Sequence, residues 1–229
     1  MAEPGSELAA LAEIARDAPV NLLLSVRAGL TAARGALDQI ASIVAQNLPT
    51  NAIVLQSLLR AALLGAGRVV FALAPADLEQ RQRNVRTVLR QEGRSLMQGL
   101  ESFAKFEHLM TLKPPDGYLE EQRSRNTTLS DAPRPAGEAK TLEEVARVIG
   151  EELVASGFTD SAVPDVLAEH IMWIWHACSG AAHGFGWPWL LPGTAPMAGD
   201  FVSDLGVFVS VTHLAFDVAQ RRCRISCET

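Results

Sequence analysis

Along most of this chain apolar residues recur at steps of three and four, the spacing that returns to one side of an α-helix. Ser6 to Asp17 reads as a short amphipathic helix stopped by Pro19. From Asn21 to Asn47, Leu23, Val26, Leu30, Leu37, Ile40 and Val44 keep the helical period until Pro49. Thr50 is placed to cap the apolar helix that follows, which Pro75 breaks. Asp77 to about Leu112 predicts a long helix charged on one face, and Lys113 to Gly117, with Pro114 and Pro115 between, is a turn.

The pattern then lapses. Residues 118–140 are polar and proline-bearing, with no sustained period, and read as a flexible connection between two helical halves. Thr141 and Glu144 have the spacing of a capping box, which opens a helix to about Ser156. Pro164 suits the first turn of another, running to about His183. Four glycines and three prolines make residues 184–199 a loop, and a last helix runs from about Asp200 to Arg222. No alternating strand pattern and no fixed repeat is found. The expected fold is therefore all-α: an irregular bundle of six or seven helices forming a single domain over residues 1–229.

Composition refines this picture in three ways. The chain is 48% hydrophobic, enough for a core that needs no metal or disulfide. Three cysteines, Cys178, Cys223 and Cys227, make no disulfide framework, and the N-terminus lacks an export signal, so a cytoplasmic location is expected. The apolar stretch from Ala52 to Ala74 approaches membrane-spanning length, but Arg60 and Arg68 interrupt it, which favours a buried core helix and no membrane partner.

The formal net charge is −6, from 20 basic and 26 acidic residues, which argues against a generic nucleic-acid binder. One local exception is a stripe of Arg83, Arg86, Arg90 and Arg94 on one face of the long helix, which could meet nucleic acid or an acidic partner. A solvated, ion-paired face is the simpler account. No phosphate-binding loop, nucleophile elbow or paired acidic metal cluster occurs, so no cofactor and no metal are expected.

Chemistry is most concentrated between Glu169 and Trp189. On a helix Glu169, Trp173, His176, Gly180 and His183 share a face, with Ser179 beside it. The two imidazoles then lie about 10 Å apart. Cys178, Ser179, Gly180, Ala181 and Ala182 are small and leave a notch, and Trp187 and Trp189 follow to roof it. Imidazole titrates near neutral pH, so His176 and His183 are the candidate catalytic pair. Seven-residue spacing is too long for a two-histidine zinc chelate. Arg60 and Arg68, in the most apolar helix, must pair, reach solvent or hold an anion. Arg60 is the candidate anion or carbonyl anchor if its helix packs on that of His176.

Two short motifs carry a resemblance. The run from Leu58 to Arg68, followed by Ala74, Pro75, Arg81 and Arg83, together with Ser179, Gly180, His183 and Gly184, resembles a helical family of unknown function from GC-rich bacteria. That family is distantly similar to the HEPN superfamily of helical bundles, which implies RNA cleavage by an arginine and a histidine. Here Leu64 stands where that pattern has a glutamate, and His176 near where it has an arginine. The implied pocket is less charged and suits a largely apolar small molecule. The leading expectation is thus an internal pocket binding such a molecule, with histidine acid–base chemistry as the reaction it could support. Arg60, Trp173, Ser179, Trp187 and Trp189 would contact the ligand. A HEPN-like nucleic-acid-processing or toxin–antitoxin component, and a non-catalytic oligomerisation module, are the alternatives; a homodimer fits any of them.

Overall fold

The computed structural model describes residues 2–49, 51–134, 137–155, 163–184 and 200–224. These residues form eight α-helices and no strand: α1 (Glu7–Ile14), α2 (Leu22–Ala45), α3 (Ala52–Leu73), α4 (Leu78–Phe103), α5 (Tyr118–Thr127), α6 (Glu138–Ala155), α7 (Val163–Ala182) and α8 (Asp200–Cys223). The all-α class is as the periodicity implies. The helix beyond the expected six or seven is α5, inside the stretch read as a connection.

Local chemistry sets the ends. Ser6 Oγ accepts from the Ala9 amide, Asp77 Oδ2 from Gln80, and Asn51 Oδ1 from Ile53, so the described cap of α3 is Asn51; Thr50, named from the sequence, lies outside the described residues. α4 stops at Phe103, short of Leu112, where a separate 3-10 turn (Met110–Leu112) follows. Thr141 does not open α6. The helix begins three residues earlier, after Gly137 in a left-handed conformation, and Thr141 Oγ1 donates back to the Gly137 carbonyl. Gly184, at φ +71°, ends α7 in the way only glycine does without strain.

The helices group into two compact units. The first comprises Met1–Val26, Pro75–Pro135 and Arg221–Thr229. Leu8 and Leu11 of α1, with Val85, Val88, Leu89 and Leu100 of α4, are buried in it. The α4 guanidinium of Arg81 is also buried, with its Nε 2.5 Å from Glu7 Oε1 while its Nη1 donates to the Pro75 and Ala76 carbonyls. Arg222 holds the other Glu7 oxygen at 2.7 Å. Helix α5 lies on α4, and its one fully buried side chain is polar, Gln122. A Cβ at Gly93 would stand 2.5 Å from Asn126 Oδ1 and 2.8 Å from Pro19 Cγ, so only glycine admits α5 this closely. After α5, Arg86 binds Asp131 and Arg90 donates to the Ala132 carbonyl.

The second unit comprises Arg27–Ala74 and Ala136–Gln220. Its centre is α3, the one described helix long and apolar enough to cross a bilayer. Leu59, Ala62, Leu63, Ala66, Val69, Val70 and Leu73 of that helix are buried, with α6 and α7 packed on it. Those helices bring Leu142, Val145, Ala146 and Ile149, and Ile171, Ile174, Trp175 and Cys178. A Cβ at Gly67 would lie 2.9 Å from Leu142, which brings α6 close. Helix α2 crosses α3 where Gly29 faces Gly65, with no room for a side chain: a Cβ at Gly29 would stand 2.7 Å from the Gly65 carbonyl oxygen, and one at Gly65 would press on the Gly29 carbonyl.

This crossing yields a paired prediction. Gly29→Ala and Gly65→Ala each push backbone against backbone and should destabilise the fold by about 1–3 kcal/mol. Gly35→Ala, on the same helix with nothing within 4 Å of its added Cβ, should stabilise it by about 0.5–1 kcal/mol. Urea unfolding of the three variants checks both signs.

Candidate functional site

On α7 the buried stripe is Ile171, Ile174, Trp175 and Cys178; Gly180, on the opposite side, is buried as well. His176 and His183 are exposed, Trp173 is 43% exposed and Ser179 is half-buried. The face read from the sequence therefore lies nearly opposite the one that packs, about 170° around the helix at about 100° per residue. Both faces keep steps of three and four, and the burial of Trp175 rather than Trp173 separates them. Trp187 and Trp189 lie outside the described residues.

Arg60 does meet α7, but through Trp175: its guanidinium carbon stands 4.8 Å above that ring. Its Nη2 is 3.4 Å from Glu138 Oε2, and Arg68 Nη2 is 3.3 Å from Glu138 Oε1. Glu138, at the start of α6, therefore bridges two arginines set two turns apart on α3. The three side chains are 26–32% exposed, which keeps water near the charges. Arg60 Nε and, one turn before it, Gln56 Oε1 are buried without a hydrogen-bond partner. This is an ion-paired, cation–π junction of α3, α6 and α7, and it brings Arg60 to neither histidine of the expected pair.

The arginine stripe of α4 is largely engaged. Arg86 and Arg90 hold the segment after α5, and Arg83 meets Gln80, Asp77 and Glu79. Arg94 is exposed. Elsewhere the hydrogen bond that Arg123 donates to Glu101, then the one it donates to Glu120, raises its pKa, and the bond from Arg147 to Glu144 does the same for Arg147. Among the described residues, no three histidine, cysteine or acidic side chains are grouped to hold a metal ion.

A different feature has the form of a binding site. Within the second unit α2 and α8 enclose a groove of about 660 Å3, lined by Leu37, Ile40, Ala41, Val44 and Ala45 on one side and Leu205, Val209, Thr212 and Phe216 on the other. Arg34, Asp38 and His213 complete it. Small-molecule sites span roughly 300–1,000 Å3 and are mostly apolar with few polar groups, which this lining matches. Its polar exception is Thr212, 3% exposed, whose Oγ1 is buried without any hydrogen-bond partner. A threonine inside a helix commonly bonds back to the carbonyl four residues earlier; this one does not. Arg34 Nε lies 3.4 Å from Asp38 Oδ2 on the solvent side, and both side chains are about 70% exposed. His213 is exposed at the groove's edge.

The sequence reading names Leu37, Ile40 and Val44 only as apolar helix positions, and it misses Arg34, Thr212 and His213. The available signal is that residues 34, 37, 38, 41, 44 and 45, and 205, 209, 212, 213 and 216, each keep one helix face. Nothing in that periodicity says which two faces meet.

The described residues thus define an all-α protein with an apolar groove. Compared with protein-family models, curated proteins and solved structures, the chain matches none, so the resemblance to the GC-rich helical family rests on its two short motifs.

The contrast between the two α7 faces is testable. Glu138→Gln, which strips both arginines of their shared carboxylate, should cost about 1–2 kcal/mol. His176→Ala, on the exposed face, should change stability by less than about 0.5 kcal/mol. Thermal unfolding of each variant measures the difference.

Proposed function

We propose that this protein binds a small, largely apolar molecule in the groove between α2 and α8. The observation that carries the proposal is an apolar space of about 660 Å3 whose lining includes only a few polar side chains, Arg34, Asp38, Thr212 and His213. Apolar contact supplies the affinity and the polar side chains the orientation. Should chemistry accompany binding, His213 is the imidazole on this groove, in the role first given to His176 and His183.

The same groove also exposes Val44, at 61%, and Phe216, at 36%, which is the observation favouring self-association as the second reading. A homodimer sealed along α2 and α8 would bury these side chains without any ligand.

Titration with N-phenyl-1-naphthylamine, a neutral dye that brightens in apolar sites, tests the first reading against the second. Ala41 lines the groove and is exposed, so Ala41→Phe fills the space without disturbing the core. Dye affinity should fall at least tenfold with Ala41→Phe while the melting temperature stays nearly constant. Thr212→Val should leave stability equal or higher by up to about 1 kcal/mol, because it removes an unmatched polar group of the same shape. Undiminished dye binding by the Ala41→Phe protein would sink the ligand reading. A wild-type dimer that this substitution converts to monomer, without dye binding in either, would establish the second.

A further inference from the structure

The groove's polar and apolar residues are not mixed along its length. Along α2 the charged lining residues, Arg34 and Asp38, stand at one end, and the lining beyond them, Ile40, Ala41, Val44 and Ala45, is wholly aliphatic. From Arg34 to Ala45 this wall extends about 16 Å at the helical rise. The α8 wall adds Thr212 and one imidazole, His213, to an otherwise apolar lining. A ligand that matches such a gradient has a polar head and an apolar tail.

The sign of the head follows from what the polar end has left to offer. Asp38 is matched to Arg34 through Nε alone, at 3.4 Å. This arginine's side chain is 72% exposed and its hydrogen bond to Asp38 uses Nε and neither terminal nitrogen, and guanidinium is built to grip a carboxylate through two parallel hydrogen bonds. One arginine can serve two carboxylates, as one glutamate serves two arginines elsewhere in this chain. The His213 ring, also on the groove, offers a further donor. A cationic head, by contrast, would meet Arg34 and find only Asp38, already paired and well hydrated. The geometry points to a single-chain amphiphilic carboxylate, its head at Arg34 and its tail toward Val44 and Ala45. This assignment rests on the groove being a ligand site.

Displacement of N-phenyl-1-naphthylamine by three probes of equal chain length, decanoate, 1-decanol and decyltrimethylammonium, tests it. Decanoate should displace the dye at the lowest concentration and the ammonium compound at the highest. Arg34→Gln, at a side chain 72% exposed, should weaken decanoate at least fivefold and leave decanol unchanged, and Arg34→Lys should restore part of the loss. Equal displacement by all three probes, preference for the ammonium compound, or an Arg34→Gln protein that binds decanoate as before would each overturn the carboxylate assignment while leaving the groove reading in place. Dye binding that survives Ala41→Phe would instead remove the groove reading itself, and this inference with it.

Discussion

In each compact unit one glutamate is held between two arginines, and much of the packing is arranged around that carboxylate. A guanidinium withdrawn from water is costly unless its charge and its donors are met. Arg81, 6% exposed, is met on two sides: Glu7 takes the charge, and the carbonyls of Pro75 and Ala76 both accept from Nη1. Those carbonyls belong to the segment between α3 and α4, so the same arginine that anchors α1 also fixes the start of its own helix. Arg222 on the second oxygen of Glu7 adds the end of α8. In the other unit Glu138 plays the corresponding part, drawing the start of α6 onto α3, with Trp175 beneath Arg60 adding α7. Neither glutamate has an apolar substitute that would satisfy both partners.

Close packing in the second unit depends on glycine as well as charge. Gly29 and Gly65 let α2 and α3 approach until backbone meets backbone, and Gly67 admits Leu142. On the neighbouring face of α2 small side chains have the opposite effect. Ala41 and Ala45 are too short to fill the space against α8, and an open groove is what remains. A ligand or a second copy of the chain would cover its apolar walls.

The amino-acid pattern by itself determined the all-α class, the order of the helices and most of their ends, because a period of 3.6 and the breaks at Pro19, Pro49 and Pro75 are local properties of the chain. It failed at α5, whose sequence has no apolar stripe: that helix buries Gln122, sets Asn126 against Gly93, and is followed by a segment that Arg86 and Arg90 of α4 hold, none of which leaves a hydrophobic period. It also misplaced the start of α6, because Glu138 enters the helix for a partner on α3 and not for a local cap. The need of Arg60 for a partner was legible, since an arginine in an apolar helix must have one; that the partner is Glu138 and the stacking ring Trp175 was not. Which stripe of α7 packs, and that residues 34–45 and 205–216 face each other at all, were decided only by tertiary structure. Helical spacing repeats on more than one face, and burial chooses among those faces only when the other helices are in place.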